Sequence, residues 1–255
     1  MTGQREAQLI SAADLLLDAR RTFTPIAELP SALQPTSLDE SFYIQSQLIL
    51  AYGKVGGWKV GAPTPDATPL AAPMPAAWMG PNASILPKSS HRLRGLEAEV
   101  AFFLGADLPP RATPYTLDEV KQAIQSCHPA VEILESGFTD PTTAARFSMI
   151  ADLQMHGGFV FGPACPHWRK IDFTKETVAL AVDASIRVER TGSNTSGDLY
   201  RLLPWLANEG AARTGGLHAG QWITTGSWTG VTIADTGTAV AAHFGALGSV
   251  NLTFE

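Results

Sequence analysis

Apolar residues recur at helical spacing near the start of the chain. Leu9, Ala12, Ala13, Leu16 and Leu17 predict a helix over residues 3–21. A link punctuated by Pro25, Pro30 and Pro35 comes next. Ser37 and Glu40 then stand three apart ahead of Phe42, Ile44, Leu48 and Ile49, a capping box that predicts a second helix stopping near Gly53. Helices of this kind need a surface to cover, so residues 1–55 are expected to form a helical layer on the remainder of the chain. From Gly56 the period changes. GGWKVGA predicts a short strand, and residues 61–90, rich in Pro, Ala and Gly, predict a long ordered loop or lid. In GLEAEVAFFLG, residues 95–105, Leu96, Ala98, Val100, Phe102 and Leu104 share one face of a strand. Thr116 and Glu119 box a helix over 117–127, AVEILES reads as another strand, and a helix over 142–152 leads into the apolar GGFVFG. Residues 177–192 predict a strand pair turning at Asp183 and Ala184. DLYRLLPWLANEGAAR reads as helical with a break at Pro204, and the remainder divides into short β-segments separated by glycine. The pattern is that of an α+β chain, with a mixed-β core over 56–255 and covering helices that together make one structural unit.

Composition narrows this further. The chain has 255 residues, 45% of them hydrophobic and 16% charged, enough for a sizeable core. A net charge of −6 with no basic run argues against nucleic acid and against anionic membrane surfaces. Cys127 and Cys165 are too few for a disulfide framework or a zinc site, and as free thiols they suit a reducing compartment. MTGQREAQLI carries charge where a secretory leader needs an apolar core, and no apolar run approaches the ~20 residues of a spanning helix. A soluble cytoplasmic protein is expected.

Candidate chemistry rests on carboxylates. Glu97 and Glu99 point the same way from one strand, about 6.5–7 Å apart along the chain. Alone, they read as a wetted surface pair; buried, they would require a counter-charge. Glu132 lies among Ala130, Val131, Ile133 and Leu134, in an apolar strand where a lone glutamate is rarely unpaired. Three carboxylates from two strands, with water in the remaining positions, suit Mg²⁺ or Mn²⁺. Lys59 stands between Trp58 and Val60, close to small glycines. By itself it reads as a snorkelling surface lysine, but beside a metal it would serve as a cation for a substrate carboxylate or move protons. His91 and His156 read as loop or core histidines rather than bases, and Asp152 as a local cap. No G-x-S-x-G elbow and no glycine-rich phosphate loop occurs.

Several segments, in this order, carry a resemblance: GGWKVGA, GLEAEVAFFLGADLP, HPAVEILES, the Asp152 segment leading to GGFVFG, LLPWLAN and LHAGQWITTGSW. From about residue 5 to the end the chain resembles the 2-keto-4-pentenoate hydratase / 2-oxo-3-hexenedioate decarboxylase family of the fumarylacetoacetate hydrolase superfamily. The resemblance implies a rolled mixed-β fold, a Mg²⁺ or Mn²⁺ site and a symmetric homo-oligomer, with association with a related pathway enzyme as a further prospect. It implies metal ligands at Glu97, Glu99 and Glu132, an active-site lysine at Lys59, a catalytic Asp152 matching the Asp of an Asp-Asn pair, and Ser227 near the substrate. The chain departs from the pattern in three places. Gly137 stands where Asp-Ser-Arg ends in arginine, Leu153 follows Asp152 in place of Asn, and Gly197-Asp198-Leu199 stands where the family often has Gly-His-Pro. The activity implied is hydration of a small unsaturated 2-oxo acid like 2-oxopent-4-enoate through a metal-stabilised dienolate, Lys59 moving protons. Rivals are decarboxylation of a vinylogous 2-oxo dioic acid, C–C hydrolysis of an acylpyruvate with His91 as base, and a non-catalytic partner subunit.

Overall fold

The structure, a computed structural model, describes residues 2–87 and 89–255. Helix α1 (Gly3–Thr22) starts under Thr2, whose side chain accepts from the Arg5 backbone N–H, and α2 (Leu38–Tyr52) starts under Ser37, which accepts from that of Glu40. Glu40 also accepts from the Arg5 guanidinium at 2.6 Å, which locks the two helix starts together. The apolar stripes of both helices, with Leu9, Leu16, Ile44 and Leu48 at their centre, close around Phe138 and Leu153 in a hydrophobic cluster of their own.

Thirteen strands are described: β1 (Val55–Gly61), β2 (Leu70–Pro75), β3 (Met79–Pro81), β4 (Ser84–Leu86), β5 (Gly95–Leu104), β6 (Ile124–Leu134), β7 (His156–Phe161), β8 (Thr177–Val182), β9 (Ser185–Thr191), β10 (Trp222–Ser227), β11 (Thr232–Ile233), β12 (Ala239–Phe244) and β13 (Gly248–Phe254). One sheet runs β2-β1-β10-β5-β6-β7-β3, with β11 paired to β5; the second runs β4-β13-β12-β8-β9. In the first sheet β1 is parallel to β10, and β5 is antiparallel to both neighbours. The large sheet curls, so that β2 comes back into contact with β7. Met74, Ala101, Ala130, Phe159 and Trp222, drawn from five strands, meet inside the roll. The opposite face, with Leu96, Val100, Phe102, Val131 and Ile133, packs on Val240, Phe244, Val250 and Leu252 of the second sheet. Both faces of β5 are therefore buried. Among the described residues no helix is long and apolar enough to cross a membrane.

Four expectations shift. The stretch over 61–90 contains β2, β3 and β4 rather than a continuous loop; Pro73 and Pro75 fall on β2, a strand at the end of the sheet where missing donors are tolerated. The helix predicted over 117–127 is α3 (Leu117–Ala123), closed by the predicted capping box, and β6 begins at Ile124 because its register with β5 extends that far. The helix predicted over 142–152 is shorter, α4 (Arg146–Ala151). The segment around Pro204 breaks into a 3₁₀ turn (Leu199–Arg201), α5 (Leu202–Trp205) and a π-turn (Leu206–Gly210) in which Ala211 N–H reaches back to Leu206. The hairpin reading holds, with Asp183 and Ala184 both left-handed at φ 49° and 60°.

Candidate metal centre

Four neighbouring strands deliver the site to the inside of the roll. In β5 and β6, Glu97 and Glu132 are direct cross-strand partners. In β10, Ser227 stands opposite Glu99 and Thr224 opposite Ala101, and Lys59 of β1 is level with Thr224. One carboxylate oxygen from each of Glu97, Glu99 and Glu132 can be chosen so that all lie within 4.8 Å of one another. Glu99 and Glu132 are buried and Glu97 is half-buried.

Each glutamate has its own surroundings. Glu132 Oε1 accepts from Lys59 Nζ at 2.6 Å and from His156 Nδ1 at 2.8 Å, while its Oε2 is buried without a partner among the described residues. Glu99 Oε2 accepts from the Thr224 hydroxyl and, at 3.0 Å, from the Gly226 backbone N–H. Burial opposes charge on Glu132, yet the Lys59 ammonium and His156 hold it down to about 2. Burial and the neighbouring Glu132 and Glu97 charges push Glu99 well above the usual carboxylate range. Burial and Glu132 also raise Glu97, against the pull of Lys59 and the Ser227 hydroxyl. On Lys59 burial works downward, but the three glutamates outweigh it and raise the ammonium's pKa. Burial lowers His156.

The turn ahead of β7 is the unusual part of the backbone. Leu153, Gln154 and Met155 are all left-handed, at φ 51°, 51° and 65°. Conformations of this kind cost of order 1–3 kcal/mol each outside glycine. They bring the Gln154 carbonyl to 3.0 Å from Lys59 Nζ and the His156 ring to Glu132. The turn is held from α1. The buried Arg20 guanidinium donates to Asp152 Oδ1 at 2.5 Å, to the Asp152 carbonyl at 2.9 Å, to the His156 carbonyl at 2.9 Å and to the Glu135 carbonyl at 3.0 Å. Asp152 Oδ2 accepts from Ser136 Oγ at 2.6 Å and from Gly137 N–H at 2.9 Å.

Of the residues singled out from sequence, Glu97, Glu99, Glu132, Lys59 and Ser227 therefore come together. Asp152 does not join them: both of its oxygens are engaged by Arg20, Ser136 and Gly137. His91 also stands apart, its Nδ1 on Ser90 Oγ and its Nε2 on the Gly157 carbonyl. Sequence reading missed Arg20, Thr224 and Gln154, and passed over His156 as a core residue. Nothing local to those residues signals their role.

A cavity of about 260 Å³ opens beside the carboxylates, lined by Lys59, Glu97, Glu99, Gln154 and Ser227 together with the apolar Val60, Ala62, Pro63 and Leu70. A larger cavity of about 500 Å³, with His91, Arg21 and Trp78 in its wall, contains none of the three glutamates. The chemistry argues for the smaller one. Three carboxylates against one ammonium leave two negative charges unmatched if all ionise, the charge of a single divalent cation. The donor set is all oxygen, as a hard cation prefers. The orphaned Glu132 Oε2 is a buried acceptor facing that need. The residues fit a divalent metal.

No family model matches the chain. The curated 2-keto-4-pentenoate hydratase of Paraburkholderia xenovorans is 27% identical over 270 aligned positions, covering 100% of this chain and 97% of that protein. Over its full length the chain is thus similar to 2-keto-4-pentenoate hydratases. Among solved structures, the 4-oxalocrotonate decarboxylase from Pseudomonas putida, complexed with magnesium and adipate, superposes with a TM-score of 0.85 at 20% identity over 100% of this chain and 99% of that one. The fumarylpyruvate hydrolase from Pseudomonas aeruginosa, in complex with Mn²⁺ and pyruvate, matches with a TM-score of 0.59 at 14% identity over 78% of this chain and 89% of that one. Both share the fold. The position that departs from the arginine pattern, Gly137, is wedged against α1, where a Cβ would sit 3.3 Å from Leu16 Cδ2. Two guanidiniums reach that neighbourhood: Arg20 at the Glu135 carbonyl and Arg92 at the Phe138 carbonyl.

Proposed function

We propose that this protein is a lyase: a Mg²⁺- or Mn²⁺-dependent hydratase of a small unsaturated 2-oxo acid with one carboxylate, such as 2-oxopent-4-enoate. The observation that carries this is the gathering of Glu97, Glu99 and Glu132 within 4.8 Å beside Lys59, in a chain that aligns end to end with hydratases. In this reading the three glutamates hold the cation, which when bound supplies Lewis-acid stabilisation of charge developing on the substrate's 2-oxo oxygen. Lys59, kept as an ammonium by its anionic neighbours, starts as a proton donor and as a partner for anionic oxygen rather than as a base. Glu132 and the Gln154 carbonyl fix its Nζ. Ser227, at the cavity wall, hydrogen-bonds substrate oxygen. Asp152 acts through the turn it anchors and touches no substrate.

Cavity chemistry favours hydration over decarboxylation. Lys59 is the only basic side chain lining it among the described residues, and Val60, Ala62, Pro63 and Leu70 supply apolar lining. A second substrate carboxylate would enter without a cation, at a cost of several kcal/mol. The decarboxylase reading draws on the full-length structural likeness to 4-oxalocrotonate decarboxylase. The hydrolase reading loses its base, because both His91 nitrogens are occupied outside this cavity. The test is turnover by purified protein with Mn²⁺, following dienoate absorbance for the monocarboxylate and CO₂ release for 2-oxo-3-hexenedioate. The expected kcat/KM favours the monocarboxylate by at least about tenfold. Equal or reversed preference would transfer the assignment to the decarboxylase. A homo-oligomer in the cytoplasm completes the reading, supported by exposed Ile85 and Ile233 on strands and by free, buried Cys127 and Cys165.

A further inference from the structure

His156 makes no contact with the cavity and is absent from the chemistry above, yet it is fully buried and bonded directly to a proposed ligand. Its Nδ1 lies 2.8 Å from Glu132 Oε1. A carboxylate oxygen accepts, so Nδ1 carries the proton, and this is true of the neutral and the charged ring alike. The other nitrogen, Nε2, is buried with no partner among the described residues, which suits a bare acceptor better than a stranded N–H. The ring has little freedom to turn: Trp78 stacks on it with 5.9 Å between centroids, and Arg20 holds the His156 carbonyl at 2.9 Å.

Two donors therefore converge on one oxygen of Glu132. Lys59 Nζ and His156 Nδ1 both take Oε1, while Oε2 is left buried and free. We infer that His156 is a positioning residue that fixes Glu132 as a one-oxygen ligand, its Oε2 presented to the cation and its Oε1 withheld. Lys59, its Nζ also tied to the Gln154 carbonyl, adds to this, but its four-carbon stem is more compliant than a ring. The planar ring, clamped at its backbone and stacked on Trp78, cannot follow the carboxylate if it rotates.

This inference rests on the reading of the three glutamates as a cation site, and the experiment separates the two. Mn²⁺ is titrated calorimetrically into the wild-type chain and into His156→Leu, His156→Ala and His156→Asn, each checked for folding by its metal-free thermal transition. Leu and Ala remove the donor; Asn places a side-chain N–H close to where Nδ1 stood. The expected result is a roughly 10–100-fold weaker Mn²⁺ affinity in the donor-free variants, with Asn within a few-fold of wild type. If one donor-free variant fails to fold, the other carries the comparison with Asn. Wild-type affinity in a folded donor-free variant overturns the role of His156, as does an Asn variant that folds but binds as weakly as Leu or Ala. A wild-type chain that takes up no Mn²⁺ overturns the cation site itself.

Discussion

Lys59 shows how far a single residue's meaning depends on its neighbours. On its own strand it is a lysine between two apolar residues; in the roll it faces three carboxylates and a backbone carbonyl. Replacing it with methionine keeps the stem and removes the ammonium. Lys59→Met is expected to lower kcat by about 10²–10⁴-fold while Mn²⁺ affinity is kept or tightened, because a competing positive charge has left Glu132. Lys59→Arg is not expected to restore the rate, since a planar fork cannot replace a compact ammonium. Steady-state kinetics with parallel metal titration check both. The glutamates were legible in sequence, because a buried-looking strand cannot carry charge without a reason. His156 and Gln154 were not, because their importance arises from a left-handed turn that no residue in Leu153-Gln154-Met155 announces.

At the scale of elements, α1 does more than cover the core. Its Arg20 reaches across 132 residues of sequence to Asp152 in a buried pair. Arg20→Met leaves Asp152 charged and half-unpaired in the interior, and is expected to cost about 3–5 kcal/mol in a denaturant titration. The helical layer over 1–55 and the core over 56–255 are expected to melt in one transition, for the same reason. The contact between the starts of α1 and α2 responds to acid. The Arg5 guanidinium and Thr36 hold the Glu40 carboxyl at about 2, against an ordinary 4.5. A carboxyl lowered on folding adds stability that is complete above its unfolded value and disappears as pH falls through the folded one. The contribution should therefore fade between about pH 4.5 and pH 2, and Glu40→Gln should flatten that part of the stability–pH curve measured by thermal melting.

For the whole molecule, the roll gathers charge that it cannot neutralise alone. Glu97, Glu99, Glu132 and Lys59 come from three strands separated by long stretches of chain, and folding forces their carboxylates together. A cation that binds only the folded state then stabilises the entire chain. At a free Mn²⁺ concentration of about 100 times its Kd the gain is about 2.7 kcal/mol, and a chelator should reverse it. Thermal melting with and without chelator reads this directly; an unchanged midpoint at saturating Mn²⁺ would count against the site.

Local order carried much of this protein's description. Strand alternation marked β5, the Ser37 cap and the Thr116–Glu119 capping box marked the starts of α2 and α3, and an isolated acid in an apolar run marked Glu132, because each depends on residues within a turn or two of one another. Element ends were decided elsewhere: α3 stops at Ala123 because β6 gains a partner in β5 from Ile124 onward. The place of Asp152 among Arg20, Ser136 and Gly137, the donors on Glu132 Oε1 and the curl that returns β2 to β7 are likewise tertiary. They rest on contacts between residues up to more than a hundred positions apart, and such contacts leave no periodicity in the chain to be read.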